Sequence, residues 1–298
     1  MRKDAFRSSR KRARQRSEHQ PARPSKHETH TLLETSALLG SATCITRFLL
    51  LQRGSARAAL LRVQCSCVLA GPAGISNQMN VEEVSTRIEA RVRELPLRDT
   101  QSIRRIRKEF SKELAGVDPR DVINVGLKLL SKGDFLYRFV AYELVCNHRE
   151  ALKNLTTKTL EQFGKGLNSW ESVDTFALYL AGPAWREHQV PDSQIRRWAR
   201  AKDRWWRRAA LVSTVPLNIK ARGGSGDTLR TLMICQLLVA DHDDMVEKAL
   251  SWALRELAKR DPASTREFLS KNNNVLGARV LREVRNKLTT GLKNPRGK

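Results

Sequence analysis

Three short segments set aromatic rings beside formal charges at spacings that place them on one helical surface. In Ser169-Trp-Glu-Ser-Val-Asp174, Trp170 and Asp174 lie four residues apart, one turn along one face of a helix. A carboxylate so placed can face a developing cation and orient or deprotonate a water. An indole face attracts cationic groups by about 0.5–2 kcal/mol, depending on how far the contact is desolvated. On spacing alone plain structure is the simpler explanation, with Trp170 in the core and Asp174 at the rim. In Arg204-Trp-Trp-Arg-Arg-Ala-Ala-Leu211 the adjacent tryptophans point in different directions, one toward the core and one toward the surface. Arg207 and Arg208 are split around the helix in the same way. Interleaved Trp and Arg suit phosphate contact and stacking, and they equally suit an arginine snorkelling beside a core tryptophan. In Glu247-Lys-Ala-Leu-Ser-Trp-Ala-Leu-Arg-Glu256 the apolar stripe is Leu250, Ala253 and Leu254. Trp252 falls off its centre, beside Arg255 and Glu256.

The elements that must carry these segments read as helices throughout. From residue 80 onward apolar residues recur at three- and four-residue spacing, with breaks every twelve to twenty residues. The pattern predicts helices over 80–94, 98–115, 119–131, 134–148, 156–166, 171–181, 192–202, 204–215, 227–240, 242–259, 263–271 and 275–289. Breaks are expected at Gly116–Asp118, Gly133, Gly182-Pro183, Gly223–Gly226 and Asp261-Pro262. Asp118 before Pro119 and Asp261 before Pro262 have the form of helix caps. No segment shows the period-two alternation of a sheet. Helix pairs recur every 35 to 45 residues, the spacing of HEAT-like repeats, which predicts an all-α solenoid with a concave basic surface. A compact helical bundle is the simpler alternative.

The chain has 298 residues with 55 Lys and Arg against 31 Asp and Glu, a net charge of +24. Residues 1–78 hold 14 of the basic and four of the acidic residues, which leaves 41 and 27 for 79–298, a net of +14. The helical part is therefore basic on its own account and calls for a polyanionic partner, either nucleic acid or an anionic membrane surface. The first thirty residues are rich in Arg, Lys and Ser and nearly free of large apolar side chains, so residues 1–78 are expected to be a disordered basic leader. That leader fits an organelle transit segment, a DNA-affinity arm, or a stretch upstream of a true start at Met79. The start at Met79 fits best, because the amphipathic pattern begins immediately after it. No apolar run reaches the eighteen or so residues of a membrane span. Cys44, Cys65, Cys67, Cys146 and Cys235 are too few, too scattered and too poorly accompanied by His for a zinc site, and Cys65-x-Cys67 reads as a chance pair.

Taken together and in this order, SWESVD, WWRRAAL and EKALSWALRE resemble the core motifs of the AlkD-like DNA alkylation repair glycosylases, with a looser match at LAGVDPRDV. The resemblance spans about residues 80–290. It implies HEAT-like repeats gripping duplex DNA in a basic cleft, with Trp170 and Asp174 as a catalytic Trp and Asp and Trp252 as a second active-site Trp. It further implies that Arg208 contacts DNA, with Arg207 and Arg255 as adjoining basic positions. Members of that family excise cationic N-alkylated purines such as 3-methyladenine and 7-methylguanine. They engage the lesion's sugar and backbone without a snug base pocket. An N-alkylated purine is already a good leaving group, so no second carboxylate is needed as general acid. The resemblance implies no cofactor, no metal and a monomer. It implies a cytoplasmic, nucleoid-associated place in a bacterium, or a nuclear or organellar one where the leader is real. The chain departs from the family pattern at Glu171, where Asp is common, at the long Ala221–Gly226 loop, and in FLYRFVAYELV. A non-catalytic DNA-structure binder on the same scaffold and a protein-interaction scaffold are the competing functions.

Overall fold

The computed structural model describes residues 79–97 and 99–295; the expected disorder of residues 1–78 lies outside them. Capping side chains mark where most of the helices begin. Asn80 opens α1 (Val81–Arg93), Asp99 opens α2 (Thr100–Glu113) and Asp118 opens α3 (Pro119–Leu130). Asp134 opens α4 (Phe135–Asn147), His148 opens α5 (Arg149–Lys153), and Thr156 and Thr159 form a reciprocal capping box at α6 (Thr157–Gly164). Ser169 opens α7 (Trp170–Phe176), which runs through a π turn (Ala177–Ala181) into α8 (Gly182–Arg186). Next come α9 (Asp192–Ala199), α10 (Arg204–Ser213) behind Asp203, α11 (Val215–Asn218) and a 3₁₀ turn (Lys220–Arg222). The chain closes with α12 (Thr228–Leu237), α13 (Asp244–Leu257), α14 (Pro262–Lys271) and α15 (Ala278–Thr290). No strand occurs among the described residues.

The helices stack in two rows, a helical-repeat solenoid. One row runs α2, α4, α7, α10, α13, α15; the other runs α1, α3, α6, α9, α12, α14. Polar cross-links between successive repeats keep a nearly constant separation in sequence. Arg107 reaches Glu143, Gln194 reaches Glu161, Asp174 meets Arg208 and Gln236 meets Asn272, separations of 36, 33, 34 and 36 residues. A single apolar core runs between the rows, from Val84 and Ile88 to Val280 and Val284. Neither row could bury its apolar stripe alone. The central α4 is buried nearly all round, which explains why FLYRFVAYELV lacks a clear polar face. Its two buried charges are both satisfied: Glu143 accepts from Arg104 and Arg107, and Arg138 donates to the Lys165 and Gly166 carbonyls.

Two expectations need correction. Gly182-Pro183 does not break the chain into separate helices. The π turn widens the backbone ring, with the Gly182 N–H donating to the Ala177 carbonyl, and so makes room for a proline that would clash in regular α geometry. The Leu178 carbonyl, five residues before Pro183, takes a 3.5 Å contact from Arg222 instead. Short helices also fill 149–153 and 215–218, where the apolar period is too brief to announce them. Gly182 is where α8 meets the next repeat. A Cβ there would lie 2.7 Å from Pro216 Cγ and 2.8 Å from the Ser213 carbonyl oxygen. Gly182→Ala is expected to lower stability by about 1–3 kcal/mol, read as a fall in the urea midpoint with no change in slope; an unchanged midpoint would show that this helix crossing is loose.

Candidate active site

A cavity of about 520 Å³ opens on the row formed by α7, α10, α13 and α15. Each of these helices sends side chains into it at helical spacing. Helix α7 supplies Trp170 and Asp174, one turn apart, and α10 supplies Arg208. Along α13, Met245, Lys248, Trp252 and Arg255 succeed one another at three- and four-residue steps, a single stripe that faces the opening. Helix α15 contributes Arg279 and Glu283, again one turn apart, and Lys293 comes from the segment after α15. Five cationic side chains stand against two carboxylates, so the lining is positive.

Asp174 is the most constrained of these groups. Its side chain is 14 % exposed, and both oxygens accept from Arg208, at 2.9 Å from Nε and 2.8 Å from Nη2. The third guanidinium nitrogen of Arg208, Nη1, donates to the Met245 carbonyl at 2.5 Å. One guanidinium thus joins α7, α10 and α13, and it is only 5 % exposed. Burial pushes the Asp174 carboxyl above the ordinary carboxylate range, the Arg208 fork opposes that rise, and nearby Glu171 adds to it. Each carboxylate oxygen has a second lone pair beyond the one Arg208 takes. Trp170 is 50 % exposed at the first position of α7. The simple structural reading of this pair is therefore inverted: the tryptophan stands in solvent and the aspartate lies nearly buried beneath it.

The other sequence-derived positions divide. Trp252 is half-buried in the cavity and Arg255 lies one turn beyond it. Burial pulls the Arg255 guanidinium below its ordinary range, opposed first by Glu283 and then by Glu256. Arg207 is not brought to the cavity. Its Nε donates to Asp241 at 2.6 Å and its Nη1 to the Ala201 and Lys202 carbonyls, which fastens the turn before α10. Neither Trp205 nor Trp206 is the fully exposed or fully buried member of its pair; both are half-buried. Trp206 stacks at 4.9 Å on Trp198 and packs edge-on to Phe176, while Arg204 lies over Trp205. The 221–226 loop contributes nothing to the cavity; Arg260 holds it from outside through the Asn218 and Gly224 carbonyls.

Lys248, Arg279, Glu283 and Lys293 were not among the positions read from the sequence. Lys248 was discoverable, because it stands four residues before Trp252 on the same stripe. Asp244 holds both Lys248, at 2.6 Å, and Arg279, and its own carboxyl is drawn down to about 2. Among the described residues no group of three or more His, Cys, Asp or Glu side chains could hold a metal ion, and no helix is long and apolar enough to cross a membrane.

Removing one partner of a buried ion pair leaves the other charge uncompensated, at a cost of about 3–5 kcal/mol. Arg208→Ala is therefore expected to destabilise the fold by that order, and Arg207→Ala, where a single-bonded pair with a more exposed arginine is lost, by less. Equal, small losses in chemical denaturation of the two variants would contradict the bridging role of Arg208.

The profile of the DNA alkylation repair enzyme family matches residues 98–288, which covers every repeat from α2 to α15 and all of the cavity except Lys293. No curated protein is similar enough to count as a match. The chain belongs to the DNA alkylation repair enzyme family.

Proposed function

We propose that this DNA repair enzyme is a monofunctional glycosylase that releases cationic N-alkylated purines, 3-methyladenine and 7-methylguanine, from duplex DNA. The observation that carries the reading is Asp174: a desolvated carboxylate that lines, with the indoles of Trp170 and Trp252, a cavity where cations outnumber acids. Such a lesion carries its positive charge on the base. When the C1′–N bond breaks, the base leaves neutral with the bonding electrons, and the charge passes to the sugar. Asp174 supplies the counter-charge at that moment, and its free lone pairs orient the water whose oxygen bonds to C1′. The water's proton is lost to Asp174 or to solvent, leaving free base and an abasic site. No group has to protonate the leaving base, which agrees with a site that presents one carboxylate to the sugar and holds its other acid, Glu283, among cations.

The indoles complete the arrangement. Trp170, half exposed at the rim, and Trp252 each offer a π face to positive charge, at about 0.5–2 kcal/mol apiece. The cationic wall of Lys248, Arg255, Arg279 and Lys293 suits the DNA backbone beside the lesion. Arg208 contributes by holding Asp174, since it is almost fully buried and each of its three nitrogens is bonded within the protein. This favours an electrostatic clamp on sugar and phosphate over a closed base pocket, and tolerance of bulk on the base is the consequence.

One observation favours the alternative, a DNA-structure binder without chemistry: the closed fork of Arg208 on Asp174 also describes a purely structural pair. The two readings part at one substitution. Asp174→Asn is expected to abolish release of 7-methylguanine from methylated duplex DNA while leaving duplex affinity near that of the parent. Retained release would sink the role given to Asp174, and parent protein that binds the duplex yet releases nothing would favour the binder. The active form is the carboxylate, so its population falls as pH drops through a pKa held above the ordinary aspartate value of 3.8. The acid limb of the single-turnover pH profile is expected above that value; activity flat through this range would argue against Asp174 as the titrating group.

A further inference from the structure

The segment after α15 turns back onto the cavity. Gly291, with φ of 73°, takes the left-handed conformation that ends the helix and redirects the chain. Side chains of α15 then fasten the redirected residues. Asn286 Nδ2 donates to the Lys293 carbonyl at 3.1 Å, the Leu292 N–H donates to Thr290 Oγ1 at 3.2 Å, and Lys287 Nζ reaches the Gly291 carbonyl. The result places the Lys293 ammonium on the cavity wall, 3.4 Å from Glu283 Oε1.

Glu283 itself is only 7 % exposed, and it faces three donors from two other elements. Ser251 Oγ donates to Oε2 at 2.6 Å, and the Arg255 guanidinium lies 3.8 Å from the same oxygen while its Nε contacts Ser251 Oγ at 3.3 Å. The two cations are held within electrostatic reach of the carboxylate, but neither makes a close, well-formed hydrogen bond to it. The Lys293 ammonium and the two Nη groups of Arg255 keep N–H donors for the cavity, while the Arg255 Nε is engaged by Ser251. This contrasts with Asp174, whose guanidinium partner closes a bidentate fork on it at 2.8–2.9 Å and bonds the Met245 carbonyl through its third nitrogen.

We infer that Glu283 is a positioning residue that holds Lys293, from the redirected segment after α15, together with Arg255 as a two-cation clamp for DNA phosphate beside Trp252. The inference rests on the reading of this cavity as the DNA site, though not on base excision. Glu283 offsets the burial of Arg255, which otherwise would turn outward to regain water. It also anchors the side chain of a lysine whose backbone is already held against α15 by Asn286.

The test is duplex DNA affinity of the full chain against salt concentration, a measurement that needs no chemistry. Lys293→Ala is expected to weaken binding and to reduce the slope of log K against log salt by about 0.9, the contribution of one phosphate contact on B-DNA. Glu283→Gln keeps the shape and an acceptor for Ser251 but removes a negative charge from a DNA-binding wall. Bulk electrostatics alone would make that variant bind tighter. Positioning makes it bind several-fold weaker at every salt concentration, with Glu283→Asp recovering part of the loss and an unaltered thermal transition showing that the fold is kept. In an Arg255→Ala, Lys293→Ala background the Glu283→Gln change is expected to have no further effect on affinity, because the groups it acts through are gone. Binding by Glu283→Gln as tight as the parent or tighter overturns the inference, as does a full additional loss in that double background. Base release assayed in parallel keeps the two readings apart: parent protein that binds but releases nothing removes the excision reading and leaves the clamp to stand or fall on the affinities.

Discussion

The Asp174–Arg208 pair is the constraint on which the rest of the site depends. Neither charge is tolerable alone at that depth, and each is held in a single geometry by the other. Because the third donor of Arg208 reaches the Met245 carbonyl, the pair fixes the first turn of α13 as well as α7 and α10. Trp252, two turns along α13 from Met245, and Trp170, one turn before Asp174, inherit their positions from that junction. A buried ion pair is weak evidence for stability, since well-packed apolar side chains of similar volume do as well or better. Its use here is placement. An ionised carboxylate cannot otherwise be kept under an exposed indole and facing a cavity.

The same geometry separates two kinds of acid within one opening. Asp174 is locked by a close bidentate fork from a buried partner whose three nitrogens are all bonded within the protein, and the carboxylate keeps free lone pairs at that end. Glu283 is ringed by cations at looser distances, so the chemistry at its end belongs to the cations. A positive wall beside one isolated negative group matches a backbone polyanion carrying a locally cationic base. The basic excess of residues 79–298 is thus concentrated, in part, where a lesion's phosphates would lie.

Much of this was legible in the sequence because it rests on period and on residue type. The helical spacing, the repeat of roughly one helix pair per 35 residues and the capping aspartates are local signals, and they locate the elements with small errors at their ends. The shared face of Trp170 and Asp174 was legible too, but not which of them is buried, since that is decided by Arg208 arriving from the next repeat, 34 residues on. Arg207 and Arg208 were equivalent as sequence. Only tertiary placement turns one toward Asp241 and a turn, and the other into the cavity wall. The passage through Gly182-Pro183 was illegible because a Gly-Pro pair reads as a break, whereas here a π turn, closed by the Gly182 N–H on the Ala177 carbonyl, carries the helix through it. Lys293 could not be foreseen, as it lies beyond the last apolar period and is brought back by Gly291 and Asn286.

In the proposed reaction the Asp174 carboxylate answers the charge of a sugar rather than the charge of a base. The most direct measurement is a single-turnover incubation of the protein with duplex DNA bearing 7-methylguanine, quantifying free base and abasic sites together. A carboxylate in that role predicts free 7-methylguanine with an equal number of abasic sites and no strand cleavage. Duplex bound at saturation, with neither product rising above the spontaneous rate, would contradict it.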